Sequence, residues 1–313
     1  MPVREERPGG VPEEKEGGRA MKNLCQTGGK WLFFTGSEKG KPLQGTATRY
    51  TLHFQQYKEV ADMPSVPPTA SSPIPVSRAA SGISGSAVSG GEKARTWIVL
   101  GDLHDKAARL GDIRGLKEAD GVIVTGDLTV TGGVAQARKV LEKLLCYNPV
   151  LYAQIGNMDR AEITEWLAER GWNTHRCVRE LAPDVALMGL GGSTFTPFGT
   201  PSEFPESRFA DWLEHMWREA RKFRHVVLSA HTPPHDTLCD IVGDGSHVGS
   251  SAVRDFLLDA QPDVCLCGHI HESRAVDRLG RTVLVNPGAF ATGGYAVLRL
   301  AGDDLSVTLH MLD

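Results

Sequence analysis

From residue 96 onward, short apolar runs alternate with longer stretches of helical period, and this alternation limits the possible folds more than any other feature of the chain. The short runs predict strands at residues 97–100, 122–125, 150–155, 185–190, 226–230, 264–267, 282–285, 295–300 and 305–309. The longer stretches predict helices at residues 106–119, 134–146, 161–170, 207–223 and 250–260. A β-α-β-α order that becomes strand-rich near the C-terminus is typical of an α/β layered domain, which we place at residues 96–313.

Residues 1–95 have a different composition. Residues 64–91 are dominated by Ser, Pro, Gly and Ala, so they bury too little apolar surface to offset the entropy of ordering, which predicts disorder or a flexible linker. Residues 31–62 contain scattered aromatic residues that allow a short hairpin. Two interpretations of this leader stay open: a poorly ordered N-terminal extension, or a mis-annotated start upstream of a true one at Met21 or Met63.

Composition excludes several classes of protein. The formal net charge of −4 argues against a globally basic nucleic-acid binder. No apolar run reaches the length of roughly 18–20 residues that spans a membrane, and the charged N-terminus lacks the apolar segment of a signal peptide. The six cysteines show no regular spacing, which favours a reduced, cytoplasmic setting.

Five of the predicted strands are each followed at once by side chains of types that can bind metals. In chain order they are Asp102, His104, Asp127, Asn157, His231, His269 and His271. Ligands of open α/β sheets bind beyond the carboxyl ends of the strands, so we expect these side chains to meet at one edge of the sheet. Glycine precedes most of these groups, where it permits a sharp turn or a close approach of the backbone to a ligand.

The chemistry of this set points to metal ions. Three oxygen ligands and four imidazoles are too many for one tetrahedral ion and suit two divalent ions. A mixed nitrogen and oxygen set without thiolate favours Mn, Fe, Zn or Ni over Mg or Ca. Asp127 occupies a central place in the order and is the candidate to bridge both ions through its two oxygens.

The ordered blocks GDLH, GD, GN, SAH and GHIH resemble the calcineurin-like metallophosphoesterase superfamily over residues 97 to about 290. The stretches HTPP at 231–234 and NPG at 286–288 are similar to its small prokaryotic, cyclic-nucleotide-phosphodiesterase-like branch. This resemblance implies a four-layer α-β-β-α sandwich with two metals between the sheets. It implies that one ion is held by Asp102, His104, Asp127 and His271, and the other by Asp127, Asn157, His231 and His269.

The resemblance also implies the reaction: hydrolysis of a small phosphoester by a hydroxide that bridges the two metals, with no side-chain nucleophile. The residues assigned to catalysis are Asp102, Asp127, Asn157 and His231. Two alternatives of other classes are a metal-dependent nuclease and a non-catalytic metal-binding scaffold for protein partners. The acidic body argues against the nuclease, and the complete ligand set argues against the scaffold.

The sequence departs from the broad family pattern at two positions. Many relatives have a histidine after the asparagine of the GN block, where it acts as a general acid or contacts the oxyanion, whereas this chain has Met158. A missing acid hurts most with poor alkoxide leaving groups, so we expect phosphodiesters or activated esters to be preferred over alkyl phosphomonoesters. His235 is a candidate substitute acid. Leu128 stands where Ser/Thr protein phosphatases continue with Arg, which argues against that subclass.

Several other residues have a structural and a functional interpretation. Asp159 either orients a ligand or is a turn residue, and Asn286 either positions the chain near the metals or forms a turn. Cys265 and Cys267 are expected to be small core residues rather than metal ligands. We expect substrate contacts in the loops at residues 195–208 and 232–249.

Overall fold

The computed structural model describes residues 93–313 together with three short strands upstream of them: β1 (Leu24–Thr27), β2 (Lys30–Phe33) and β3 (Ile74–Pro75). The chain divides into two units, residues 1–57 and 58–313. In the first unit, β1 and β2 pair as an antiparallel hairpin. The remainder of the predicted leader, including most of the aromatic segment at 31–62, lies outside the described residues.

The second unit contains two six-stranded sheets. Its strands after β3 are β4 (Arg95–Leu100), β5 (Gly121–Val124), β6 (Leu151–Ala153), β7 (Val178–Ala182), β8 (Val185–Leu190), β9 (His225–Ala230), β10 (Val264–Leu266), β11 (Ala275–Leu279), β12 (Thr282–Asn286), β13 (Gly294–Ala301) and β14 (Asp304–Met311). The first sheet has the order β3-β14-β13-β4-β5-β6, and the second β11-β12-β10-β9-β8-β7. Strands β4, β5 and β6 are parallel, as are β8, β9, β10 and β12.

Four helices cover these sheets: α1 (Val134–Leu145), α2 (Glu162–Glu169), α3 (Glu206–Ala220) and α4 (Ser251–Ala260). Side chains alternate across a strand, and β4 shows the result. Ile98 and Leu100 pack with α1 and α2, whereas Trp97 and Val99 pack against the second sheet. The opposite face of the second sheet packs on α3 and α4. Three apolar cores therefore separate four layers, which confirms the predicted α-β-β-α sandwich.

The parallel registers align the strand ends. Leu100 lies opposite Val124 in β5, and Val124 lies opposite Ala153 in β6. In the second sheet, β9 and β10 are paired in parallel with Ser229 opposite Leu266. Each of these strands ends next to a predicted ligand, so the register brings the polar segments of both sheets to one edge.

The predicted helix at 106–119 is wrong. This segment consists of turns around one short 3-10 helix at Leu110–Asp112. Gly111 lies directly against the side chain of Tyr147, and Gly115 has a φ of 78°, a left-handed conformation that an α-helix does not contain. Apolar side chains of this irregular segment, such as Leu110 and Leu116, are nevertheless buried, and their spacing along the sequence resembles that of a helix.

Three strands of the two sheets were not predicted. β3 is a two-residue edge strand of the first sheet, within the stretch 64–91 for which disorder or a flexible linker was expected. β7 and β11 form the edges of the second sheet. Charged residues such as Arg179 and Asp277 interrupt their apolar pattern because edge strands are partly exposed.

Among the residues that the structure describes, no helix combines the length and apolarity that a membrane crossing requires.

Candidate metal centre

The loops that carry the predicted ligands adopt an unusual backbone conformation. Asp102, His104, Asp127 and His269 have φ angles between 43° and 67°, in the left-handed region that non-glycine residues rarely occupy. Backbone hydrogen bonds hold two of these loops together, because the His104 amide donates to the carbonyl of Asp127 at 2.9 Å. Strain of this kind persists only where surrounding structure enforces it, and it concentrates at functional sites.

The first group of side chains consists of Asp102, His104, Asp127 and His271, whose potential ligand atoms all lie within 4.8 Å of one another. The Nε2 atoms of His104 and His271 are 3.1 Å apart. His104 Nε2 is 3.5 Å from Asp127 Oδ2, and His271 Nε2 is 3.4 Å from Asp102 Oδ1. These atoms converge on one point, as the ligands of a single cation do.

The second group surrounds the side-chain oxygen of Asn157. His231 Nε2 lies 3.0 Å and His269 Nδ1 2.8 Å from Asn157 Oδ1. His231 Nε2 is also 3.5 Å from Asp127 Oδ1. Asp127 thus presents one oxygen to each group, the arrangement that a bridging carboxylate requires. The structure therefore brings all seven predicted ligand residues together in two adjacent groups.

Burial raises the free-energy cost of the charges in this cluster. Asp102 and Asp127 are almost fully buried, and in the described part of the chain the ionisable groups within ion-pair distance of them are imidazoles, not Lys or Arg. Burial opposes ionisation of Asp102, yet His271, His231 and His104 more than offset it and lower the pKa of its carboxyl well below the ordinary value. Buried carboxylates that lack a cationic side chain fit bound metal cations.

The pKa values of two of these imidazoles shift in opposite directions. Burial opposes protonation of His231, but the carboxylates of Asp127 and Asp102 raise its pKa to about 9. Burial, together with the charge of His231, lowers the pKa of His269 to about 4. The carboxylates therefore favour a positive charge at the centre of the cluster, which divalent ions would supply in place of protons.

Close packing of backbone on side chain explains the glycine of the GN block. A Cβ atom on Gly156 would lie 2.0 Å from Asp127 Oδ1 and 2.4 Å from the Asp127 amide nitrogen. No carbon atom can occupy that position without displacing Asp127 or the backbone. Gly156 therefore permits the close approach that brings the Asn157 loop against the Asp127 carboxylate.

Asp159 orients the loops rather than the ligands themselves. Its buried carboxylate accepts hydrogen bonds from the amides of Leu128, Thr129 and Gly156 and from the Thr129 hydroxyl, at 2.8–3.0 Å. Within the described residues these hydrogen bonds run to the backbone and to Thr129 rather than to an imidazole, so Asp159 ties the Asp127 loop to the Asn157 loop. Burial and the nearby charge of Asp127 raise the pKa of Asp159 to about 7.

The structure also identifies supporting residues that sequence reasoning missed or left open. The Gln154 amide nitrogen lies 3.0–3.2 Å from the carbonyls of Thr125, Leu190 and Ser229, which joins both sheets beneath the site. A glutamine inside an otherwise apolar predicted strand was the available signal. Asn286 Nδ2 donates to the carbonyl of Ile270 at 2.8 Å and thereby supports the loop that carries His269 and His271.

Other predicted residues lie away from the ligands. His235 is exposed, and its ring is 5.9 Å from that of His247, whose Nδ1 is 2.7 Å from Asp240 Oδ1. No contact in the described residues joins His235 to the ligand set, so the geometry gives no support to its role as a substitute acid. Met158 is half-buried beside the cluster, and its amide donates to Asp127 Oδ1 at 2.8 Å. Cys265 and Cys267 are buried in the core against α3 and α4.

His175 lies at the base of the loop that follows β8. It is buried against the rings of Phe204 and Trp212, and its Nδ1 accepts a hydrogen bond from the Gly191 amide at 2.9 Å. Burial, assisted by the charge of Arg176, lowers its pKa from 6.5 to about 4. This histidine is therefore neutral in the folded protein at neutral pH.

This depressed pKa predicts a loss of stability in acid. Below pH 6.5 the unfolded chain binds a proton at His175 that the folded chain rejects until about pH 4. The free energy of unfolding should therefore fall by roughly 3 kcal/mol across that window, relative to His175→Asn, which keeps an acceptor near Gly191. Urea denaturation at pH 7 and pH 4.5 in chelator measures the difference. His215→Asn, on the exposed face of α3, is the control. Equal acid sensitivity of the wild type and His175→Asn would contradict this account.

Comparison with known proteins identifies the family whose members share this fold. A family model described as calcineurin-like phosphoesterase matches residues 96–273. The uncharacterized protein MJ1162 of Methanocaldococcus jannaschii is 35% identical over 195 residues, which cover 61% of this chain and 86% of that protein. The crystal structure of TT1561 of Thermus thermophilus has a TM-score of 0.52 at 17% identity and covers 69% of this chain and 98% of its own. At that identity the structural likeness supports the fold alone.

The fold and the converging Asp, Asn and His side chains define a metal-dependent phosphoric ester hydrolase. The chain belongs to the calcineurin-like phosphoesterase family. This family uses two divalent metal ions. The residues present here fit such a pair, because two buried carboxylates, an amide oxygen and four imidazoles converge with no Lys or Arg side chain of the described residues among them.

Proposed function

We propose that this protein is a cytoplasmic dimetal phosphoesterase that hydrolyses phosphodiester bonds of a small molecule or nucleotide. The observation that carries the proposal is the position of Asp127 between two groups of ligand atoms, with Oδ2 facing His104 and Oδ1 facing His231. Asp102, His104, Asp127 and His271 would hold one ion. Asp127, Asn157, His231 and His269 would hold the other. The donor set favours Mn, Fe, Zn or Ni.

When bound, such a pair of ions supplies an activated water and neutralises charge that develops on the phosphoryl oxygens. The protein's own part is to fix the donors before substrate arrives. Asp159 and Asn286 hold the ligand loops by hydrogen bonds to their backbone groups, so little reorganisation is needed during the reaction. No serine, threonine or cysteine side chain is required as a nucleophile.

Met158 is the basis of the proposed preference for diesters. Its thioether has no proton to give, and its half-buried side chain occupies the place beside Asn157 where many relatives have an acid. An alkyl phosphomonoester needs protonation of its leaving oxygen more than an activated ester does, so it should react more slowly. The exposed Phe195 and Phe198, on the loop that follows β8, would favour substrates with an apolar or aromatic group.

The proposal is tested by hydrolysis of bis-p-nitrophenyl phosphate and of an alkyl phosphomonoester, glycerol 1-phosphate, each with added Mn²⁺ and with chelator. We expect metal-dependent turnover that is faster for the diester. Equal or faster turnover of the monoester would overturn the substrate preference while keeping the dimetal reaction. Full activity in metal-stripped protein would overturn the dimetal reaction. Cleavage of DNA or RNA that strengthens at low salt would favour a nuclease, and metal binding without any hydrolysis would favour a scaffold.

Met158→His tests whether the lack of an acid at this position slows the hydrolysis of monoesters. The new imidazole would stand beside Asn157 and could donate a proton to a leaving alkoxide, so monoester turnover should rise by about 100-fold relative to diester turnover. Met158→Leu, which keeps the volume and adds no proton, should leave the ratio of the two rates unchanged. A ratio that does not move in Met158→His would show that the identity of this residue does not set the preference.

A further inference from the structure

The orientation of the Asn157 amide decides which of its atoms faces the second group of ligands. Its oxygen lies 2.8 Å from His269 and 3.0 Å from His231, whereas its nitrogen faces away from them. An amide rotated by half a turn would present two N–H groups to the same place, and these cannot bind a cation. Correct function therefore requires that something hold the amide in one of two nearly isosteric orientations.

The opposite end of the amide contacts a single hydroxyl. Asn157 Nδ2 donates to Thr200 Oγ1 at 3.0 Å. A threonine hydroxyl has one proton and can both donate and accept, so by itself it would tolerate either orientation of the amide. The direction of its own proton determines which orientation it accepts.

Glu203 fixes that direction. Its Oε1 accepts hydrogen bonds from the Thr200 hydroxyl at 2.6 Å, from the Thr200 amide at 2.7 Å and from the Thr196 hydroxyl at 2.6 Å. Burial opposes the charge on Glu203, but these hydrogen bonds lower its pKa, so the carboxylate accepts and does not donate. The Thr200 proton is therefore directed to Glu203, and only a lone pair remains for Asn157.

The loop itself does not depend on this hydroxyl. The Ser202 amide donates to the Asn157 carbonyl at 3.0 Å, and the Ser202 hydroxyl donates to the Asp159 carbonyl at 2.6 Å. Phe204 is paired with Ser193 through its backbone amide at 2.8 Å. Removing the Thr200 hydroxyl should therefore change the partner of the Asn157 amide while the loop keeps its place.

We propose that Thr200 and Glu203 are positioning residues that lock the Asn157 amide with its oxygen toward His231 and His269, and so set the affinity of the second metal site. This inference rests on the proposed dimetal function. It assigns to the loop at 195–208 a role in metal binding, in addition to the substrate contacts expected there. The expected size follows from outer hydrogen-bond partners of metal ligands, whose loss weakens metal affinity about 10- to 100-fold.

The test is a Mn²⁺ titration of metal-free protein by calorimetry and by electron paramagnetic resonance, which counts ions per chain. In Thr200→Val, one of the two binding events should lose about 10- to 100-fold in affinity, while the other stays within about 3-fold. Thr200→Ser restores the hydroxyl and should recover the second site. Thr196→Val, which removes a neighbouring hydroxyl that also donates to Glu203 but does not touch Asn157, is the matched control.

Each outcome decides the matter. Two unchanged affinities in Thr200→Val would overturn the proposal. An equal loss at both sites, or failure of Thr200→Ser to recover the second, would show a general disturbance of the loop and would overturn it as well. Wild-type protein that binds two ions yet hydrolyses no phosphoester would defeat the proposed function alone, because the effect on the second site is measured without turnover.

Discussion

Asp127→Asn should abolish most of the hydrolytic activity, with a decrease in kcat/KM of about 1000-fold or more, equivalent to about 4 kcal/mol of transition-state stabilisation. The reason is that both oxygens of Asp127 are used: Oδ2 lies 3.5 Å from His104, and Oδ1 lies 3.5 Å from His231. An asparagine has one oxygen and one N–H₂ group, so it can serve only one of the two ligand groups. The same change also removes a negative charge from the centre of the cluster.

The measurement should separate loss of metal from loss of fold. Metal content after dialysis should fall from two ions per chain to one or fewer, while the circular dichroism spectrum stays unchanged. Asp112→Asn is the control, because Asp112 is an exposed carboxylate paired with Arg109, and its substitution removes the same charge from the surface. An Asp127→Asn variant that keeps two ions and full diester turnover would contradict the bridging role.

Strand ends, and with them the candidate site, follow largely from the sequence because the ligands are local to the strands that carry them. Asp102, Asp127 and Asn157 each follow a short apolar run, and parallel pairing of β4, β5 and β6 brings such positions together. Only the order of strands in the two sheets is needed beyond that. The family resemblance supplied the stacking of two sheets, which the alternation of strands and helices does not by itself specify. The strand orders come from the structure.

Contacts between distant segments were not predictable in the same way. Thr200 contacts Asn157 across more than forty residues, and Glu203 acts on Asn157 only through Thr200. No local pattern marks a threonine as the partner of an amide. The turns at 106–119 were mistaken for a helix because their buried leucines satisfy tertiary packing rather than a local period. The edge strands β7 and β11 were missed because half-exposed strands carry charged residues.

Gly156→Ala should nearly inactivate the protein although it changes no ligand. The added methyl carbon would stand 2.0 Å from Asp127 Oδ1 and 2.4 Å from the Asp127 amide nitrogen, well inside van der Waals contact. The Gly156 backbone cannot easily retreat, because its amide donates to the buried Asp159 carboxylate at 3.0 Å. We expect the bridging carboxylate to be displaced, activity to fall by about 100-fold or more, and stability to decrease by about 1–3 kcal/mol.

Gly243→Ala provides the matched control for that experiment. It makes the same change in the loop after His231, at a position where an added Cβ meets no atom within 4 Å and φ lies outside the left-handed region, so activity and stability should stay near wild type. Metal titration of Gly156→Ala should show weakened binding at both sites, since both use Asp127. If Gly156→Ala bound two ions and turned over the diester normally, the tight contact would not constrain Asp127. The expected loss instead ties the glycine of the GN block to the Asp127 carboxylate beyond the neighbouring strand, a requirement of close approach rather than of a turn.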